Sequence, residues 1–456
     1  MTHADVLIVG AGPAGVRAAE ILVSRGLRPL IIDESPKSGG QIYRQQPDAL
    51  TRSADALYGF ETKKAKRLQL AFERIREKIE YWPSSAVWAF EGKAAWVDRA
   101  DGRQELVTFD RIVLATGAVD RVVPMEGWTV PGVYTLGAAQ IALKYQACHV
   151  GRRVALLGTG PLLYLVAYQY KKTGADIAGI FDTAPSFQQI LNLPRLAVVP
   201  MALLKGLYYV AWLRRQKVPI HTGVTPLRVE GRERVAGIAV RSSSGAVMHV
   251  ECDGLAMGYH VQAETQLADI LGCAFRFDSL SKQWLPVRDK LGRATVQGVY
   301  LAGDAAEVLG ADTAEAGGAL AAYACLQDMG YTLPTAALLS LTWKMRRGRW
   351  FAKGLRRAFP APIHLPPGLS DSTIICRCEE VTVGEVRHAC RALEAQESNR
   401  VKAFVRVGMG RCQARICGFA AIGVAAEAIG TEMALIGRLR GQAPIKPQCL
   451  DTGGSP

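Results

Sequence analysis

Four cysteines near the C-terminus are the residues whose spacing most restricts the chemistry: Cys376 and Cys378 in IICRCEEVT, then Cys412 and Cys417 in GMGRCQARICG. Three readings compete: a 2Fe-2S cluster, a zinc ion, or plain core thiols. Four-cysteine zinc sites usually use paired C-x2-C knuckles. A C-x-C pair runs both thiolates through one short turn, which suits one iron of a two-iron cluster better than tetrahedral zinc, and core thiols would not be spaced this way. The 2Fe-2S reading therefore leads. Cys390, on the helix-like stretch between the pairs, reads as core. Arg377, Arg411 and Arg415 surround the cysteines; cations there favour the reduced, more negative cluster, while Glu379 and Glu380 oppose that.

A second chemistry sits at the N-terminus. Val6 to Val9 form an apolar strand that runs into Gly10, Gly12 and Gly15. Gly10 permits the tight turn, Gly12 lets backbone approach a pyrophosphate, and Gly15 lets the next helix pack close. That helix opens at Pro13 and Ala14 and aims its amides at the phosphates. Gly26 ends it, and the strand RPLIID stops at Asp33, where an acid meets ribose hydroxyls; Glu34 is adjacent. RIVLATGA places Thr116 and Gly117 at one strand end, and YLAGDAA places Gly303 and Asp304 at another. Both segments resemble FAD-binding motifs of the glutathione-reductase superfamily, in which the Asp304 position bonds the ribityl chain. SGGQIYR resembles a turn that runs beside the flavin there, so Gly40, Gln41 and Arg44 join the cofactor set, as does Val87; the alternative for Gln41 and Arg44 is a polar loop closed on itself. These motifs lie far apart in sequence, so the FAD-binding domain is expected to be discontinuous.

RRVALLGTGPLLYLVAYQYKKTGADIAGIFD repeats the strand–turn–helix–strand shape with Gly158, Gly160 and a terminal Asp182. Leu163 replaces the third glycine and puts bulk where the helix should approach the strand. NAD(P), another adenine nucleotide, or a vacant fold all remain open here.

With 456 residues, 49% of them hydrophobic and 21% charged, the chain is long enough for two or three globular domains. The net charge of +14 attracts anionic substrates or partners, but no basic-aromatic module points to nucleic acid. VLIVGAGPAGV reads as strand, turn and helix start, so no secretory signal is expected, and Leu196–Trp212, broken by Pro200, Lys205 and Gly206, falls short of the roughly 20 apolar residues of a membrane span; a packed helix is expected. The other six cysteines (Cys148, Cys252, Cys273, Cys325, Cys390, Cys449) read as buried thiols of a cytoplasmic protein. In LTWKMRRGRWFAKGLRRAFPAP, Trp343, Trp350 and Phe351 are expected to pack inward while the arginines stay in water; a partner-docking surface is the alternative. The seven histidines lie apart, no redox cysteine pair precedes residue 376, and no catalytic residue is assigned.

The expected fold class is α/β: a glutathione-reductase-like flavoprotein with two dinucleotide-binding domains plus a small C-terminal α-rich 2Fe-2S domain. The expected divisions are 1–125 with 285–330 for FAD, 126–284 for the second domain, 331–370 for a helical, Pro-rich linker, 371–435 for the cluster and 436–456 for a tail.

GAGPAG, GGQIYR, ATGA, GTGPLL, YLAGDAA, CRCEEVT and GMGRCQARICG together resemble the alpha subunits of heteromeric flavin-dependent amine dehydrogenases: opine oxidases, hydroxyproline and proline dehydrogenases, and the matching subunit of hydrogen cyanide synthase. The cluster segment is similar to the bacterioferritin-associated ferredoxin domain, with an x4 gap in the second pair. The resemblance implies FAD, a 2Fe-2S cluster, and in some relatives FMN at a subunit interface. It also implies a D-amino-acid-oxidase-like flavoprotein beta subunit that oxidises the C–N bond, with a small ferredoxin-like gamma subunit in some assemblies. A self-sufficient NAD(P)H:acceptor reductase is the rival.

Overall fold

The computed structural model describes residues 2–448; Cys449 and the end of the tail lie outside them. Thr2–Val9, Leu30–Ile32 and Glu80–Trp82 pair in parallel, and Gln104–Leu114 lies on the other side of Thr2–Val9. Val299–Leu301 returns from far along the chain to pair with the end of Gln104–Leu114, Leu301 opposite Leu114. These apolar runs need cover on both faces. One face is covered by helices Pro13–Val23 and Ala311–Asp328, which approach so closely that a Cβ on Gly318 would stand 2.0 Å from the Ala14 carbonyl oxygen.

A second parallel sheet holds Ile220–Thr222, Asp176–Asp182, Arg153–Thr159, Gly254–Tyr259 and Val133–Thr135, in that order. A three-stranded antiparallel sheet, Thr225–Glu230 to Val247–Glu251, shares its core.

The C-terminal unit is a small hairpin, Ile374–Cys376 with Val381–Thr382, followed by helices Val383–Arg391, Ser398–Val405 and Gly418–Ile429 around their own core of Ile375, Val386, Val401 and Val424. A Thr382/Glu385 capping box starts the first helix. Among the other cysteines Cys252, Cys273, Cys325 and Cys390 are buried as expected, but Cys148 is exposed.

Two segments depart from expectation. On the helix of the 331–370 stretch, Thr335–Ala358, Trp343 and Trp350 face outward rather than inward, at 62% and 57% exposure. Its inner face is instead Met345, Gly348 and Ala352, on the opposite side of the helical wheel, and a Cβ on Gly348 would meet Thr313 at 2.3 Å. Small residues let this helix lie close to Ala311–Asp328. Its Arg349 and Arg356, with Arg288, then turn onto Glu307. The prolines after it are docked, with Leu365 and Pro366 buried and Pro366 against Gly423. The stretch expected as a packed helix is Pro200–Arg215, packed on one side only: Tyr209 and Leu213 are buried, while Met201, Leu204, Leu207 and Tyr208 are exposed. Among the described residues no helix is long and apolar enough to cross a membrane.

Candidate functional site

The strand Thr2–Val9 ends in Gly10 at φ +107°, a conformation that favours glycine. A Cβ on Gly15 would stand 1.8 Å from the Gly10 carbonyl oxygen, so the helix packs onto its own turn. Gly12 caps that helix with no side-chain hydrogen bond, and Pro13 occupies the first turn. The space a Cβ would take at Gly12 is open apart from the Gly40 Cα at 3.7 Å. An uncapped N-terminus beside open space is the donor set a pyrophosphate requires. Asp33 accepts from the Ala11 amide and, at 2.6 Å, from the Ser35 amide; burial pushes its carboxyl up against those bonds. Val87 is buried two residues beyond Ser85, whose amide donates to the Asp33 carbonyl.

Gly303, at φ +63°, is so close to the fingerprint helix that a Cβ there would meet Ala14 Cβ at 2.7 Å. This brings Asp304 beside Ala14, where its Oδ1 accepts from the Leu309 amide at 3.0 Å and burial raises its pKa. Helix Ala311–Asp328 starts at Gly310, again without a side-chain cap. Gln41 and Arg44 bond to one another at 3.0 and 3.2 Å, so that loop does close on itself. Glu34 faces outward and pairs with Lys446 of the tail at 2.9 Å, a partner 412 residues away that no local pattern signals. The structure thus gathers Gly10, Gly12, Pro13, Ala14, Gly15, Asp33, Gly40, Gly303 and Asp304 around one strand end. These residues fit a flavin dinucleotide.

In the C-terminal unit, Cys417 lies within hydrogen-bonding reach of Cys376 and Cys412, and Cys412 of Cys378. Two of these approaches, Cys417 with Cys376 and Cys412 with Cys378, run between the two loops, and the third lies within the second loop. Cys376 and Cys417 are buried; Cys378 and Cys412 are partly exposed. The Cys417 hydrogen bond lowers the pKa of Cys376 and of Cys412, and its own thiol is raised in return. Backbone amides of Gly408, Cys378 and Glu379 also serve Cys376, and that of Ile416 serves Cys412. Close thiols receiving backbone N–H bonds fit an anionic thiolate-bound cluster. Gly410 is tight against Cys378, 2.3 Å from a built Cβ to its Cβ, and Gln413 and Ala414 adopt left-handed backbone to wrap the second loop.

The surrounding charges are mostly engaged. Glu379 pairs with Arg406 at 2.8 Å, and Arg377 lies over the Trp128 ring, whose Nε1 donates to the Ile374 carbonyl at 2.6 Å. Arg415 reaches out of the cluster loop to Glu264, Nη2 to Oε1 3.2 Å. The Glu264 carbonyl accepts from Thr116 Oγ1 at 2.8 Å, and its amide donates to the Gly117 carbonyl at 3.0 Å. Thr116 and Gly117 are thus tied through Glu264 to the segment between Cys412 and Cys417.

The second dinucleotide fold has a different interior. Leu163 is fully buried in the domain core. At Gly160, the space that is open at Gly12 is taken by an imidazole: a Cβ would stand 2.9 Å from His260 Nδ1. His260 Nε2 donates to the Phe359 carbonyl at 2.6 Å, which fixes the ring there. Asp182 has no exposed surface; it accepts from Tyr164 OH at 2.7 Å, Gln189 Nε2 at 3.0 Å and the Ala184 amide at 2.9 Å. Burial pushes it to about 6. The phosphate approach and the ribose acid are both taken by the chain's own groups, so these residues do not fit a nicotinamide dinucleotide.

Residues 4–325 match the family described as pyridine nucleotide-disulphide oxidoreductase, and residues 374–424 the BFD-like [2Fe-2S] binding domain. The opine oxidase A chain of Rhizobium meliloti is 35% identical over 97% of this chain and 86% of its own length. Hydrogen cyanide synthase subunit HcnB of Pseudomonas aeruginosa is 30% identical over 97% of this chain and 96% of its own. Among solved structures, L-proline dehydrogenase from P. horikoshii shares the fold with a TM-score of 0.73 at 20% identity, covering 98% of this chain and 79% of that one.

Proposed function

This chain belongs to the pyridine nucleotide-disulphide oxidoreductase family, within the lineage of the opine oxidase A subunits, and from that premise we propose that it is the electron-transferring subunit of a heteromeric dehydrogenase. The complex oxidises a secondary amine or imino acid, such as an opine, hydroxyproline or proline, at its CH–NH bond. The substrate carbon is oxidised on a D-amino-acid-oxidase-like beta subunit; a small ferredoxin-like gamma subunit completes some assemblies of this kind. FMN at the subunit interface and a cytoplasmic location belong to the same reading.

Bound flavin accepts electrons in pairs and releases them singly, and a 2Fe-2S cluster takes one at a time, so the two together convert paired electrons into single ones. The rest is the work of this chain's residues. Amides of Gly12, Ala14 and Gly15 orient the pyrophosphate, Asp33 holds the ribose while Glu34 next to it is held by Lys446, and Val87 flanks the adenine end. Asp304 holds the ribityl chain. The uncapped start of Ala311–Asp328 favours negative charge on the flavin pyrimidine. Cys376, Cys378, Cys412 and Cys417 hold the irons, and Thr116 and Gly117 stand where the cluster loop meets the flavin site. The observation that carries this reading is the Arg415–Glu264–Thr116 connection, which joins the two cofactor sites within one chain. Domain divisions at 125/126, 284/285, 330/331, 370/371 and 435/436 follow from the same assignment.

The test is purification of the native complex, with flavins and irons counted per chain, followed by anaerobic addition of proline, hydroxyproline and an opine. Reduction of both chromophores that needs the second subunit supports the proposal; a chain free of flavin, or one carrying zinc, overturns it. The rival NAD(P)H:acceptor reductase is disfavoured by His260 at Gly160 and by the engaged Asp182.

A further inference from the structure

The outward faces of Pro200–Arg215 and Thr335–Ala358 have no partner within this chain. Met201 is 75% exposed and Leu204 58%, with Leu207, Leu339, Trp343 and Trp350 also exposed. Isolated exposed apolar residues are ordinary, but a contiguous set marks an interaction site. Arg347 ties the long helix to the turn before Pro200: it lies 5.5 Å from the Trp343 ring centroid and donates to the Val198 carbonyl at 3.0 Å. Gly354 of the same helix sits against Arg195 and Leu196. The long helix also turns arginines inward to Glu307 while leaving both tryptophans in solvent, the reverse of what a solvent-facing helix gains from burying apolar area.

The charge on this face has a single sign. Residues 184–217 and 331–370 contain no aspartate or glutamate. Lys344, Arg346, Lys353 and Arg357 are exposed, and among the described residues none has a carboxylate partner. A second copy docked face to face would set cations against cations.

The face also borders the flavin end of the first site. Lys205 pairs with Glu61, which accepts from Tyr43 OH at 3.1 Å, and Tyr43 follows Gly40 and Gln41. On the other side, Gly348 rests on Thr313, in the first turn of the helix that starts beside Asp304.

We propose that these two helices form the docking surface for the substrate-oxidising flavoprotein subunit, which presents an apolar patch ringed by carboxylates. This rests on the heteromeric reading above and assigns it a place. A partner seated here brings its own flavin up to the Gly40–Tyr43 loop and the start of Ala311–Asp328, where electrons must be handed over.

The test uses the full chain, tagged and purified from its source cells with whatever it binds. Leu204→Glu, Trp343→Glu and Trp350→Glu alter exposed positions outside the cofactor sites. Each is expected to weaken association with the second flavoprotein by at least about tenfold, with flavin and iron per chain and the melting temperature unchanged. Arg346→Glu with Lys353→Glu is expected to slow association and flatten its salt dependence. Wild-type affinity for the second flavoprotein in all the glutamate variants overturns the proposal. So does a wild-type chain whose face proves to mediate self-association in sedimentation, or binding to vesicles of phosphatidylcholine with phosphatidylglycerol, that those variants abolish. Absence of any second flavoprotein from the wild-type preparation refutes the heteromeric reading itself, an outcome distinct from failure of the face alone.

Discussion

The guanidinium of Arg415 and the carboxylate of Glu264 form a buried, two-contact ion pair between the cluster loop and the segment that holds Thr116 and Gly117. Their side chains are 11% and 7% exposed. Removing one member leaves the other charge buried without its counterion, which costs about 3–5 kcal/mol. Arg415→Met is therefore expected to lower stability by that order in urea unfolding and to loosen the cluster loop. Adding Glu264→Gln is expected to recover part of the loss, because the uncompensated carboxylate goes with it. Equal stability of wild type and Arg415→Met would show that the pair is solvated.

Helix contact at the first site depends on Gly318. A methyl group there collides with the Ala14 carbonyl, and overpacking of this kind costs about 1–3 kcal/mol. Gly318→Ala is expected to lower the melting temperature and to weaken flavin retention, because Ala14 belongs to the phosphate-facing turn. Gly206→Ala is the contrast: nothing lies within 4 Å of the added atom, and the change is expected to stabilise the helix by up to about 1 kcal/mol. Thermal unfolding with flavin release as a second readout separates the two.

Cysteine substitutions distinguish ligands from core. Cys412→Ser is expected to remove iron and the cluster's visible absorption while the flavin stays bound, since the first site lies in a different domain. Cys390→Ala is expected to keep full iron content and to lose only modest stability, as a small buried thiol does. Unchanged iron in Cys412→Ser would remove that cysteine from the ligand set.

The sequence made some of this legible and hid the rest for physical reasons. A glycine fingerprint after an apolar strand is local, so Gly10, Gly12 and Gly15 identify their turn without the fold. The cysteine pairs are local in the same way, though not the cross-loop approach of Cys417 to Cys376. The orientation of Thr335–Ala358 is ambiguous in the sequence because both of its stripes are apolar: Trp343 with Trp350 is the larger, yet Met345, Gly348 and Ala352 are what fit against the neighbouring helix. Size argued for burying the tryptophans and closeness of approach decided otherwise. Arg415 with Glu264, 151 residues apart, and His260 with Phe359, 99 apart, leave no local trace at all.

The occupied second fold makes a spectroscopic prediction. With His260 against Gly160 and Asp182 already bonded, NADH or NADPH added anaerobically to the purified chain is expected to leave the flavin absorption unchanged. Bleaching at ordinary micromolar cofactor concentrations would mean that the Phe359 segment moves aside and would restore the reductase reading.

His260 also gives that region a pH signature. Burial lowers its pKa to about 4, from 6.5 for the free side chain. The unfolded chain therefore takes up a proton on His260 below about pH 6.5, whereas the folded chain does not until about pH 4. Stability from the neutral ring is fully present above pH 6.5 and is lost as the pH falls toward 4, by up to about 3 kcal/mol. Asp182 acts in the opposite sense, since its raised pKa makes the fold relatively more stable in acid; the wild-type curve alone therefore mixes the two. Comparison with His260→Asn isolates the histidine, and asparagine tolerates the φ of +64° at this position. The wild type is expected to lose stability relative to the variant between pH 6.5 and 4, measured by urea unfolding at each pH. Parallel curves would show that the ring is protonated as readily in the fold as in water, and hence that it does not fill the space at Gly160.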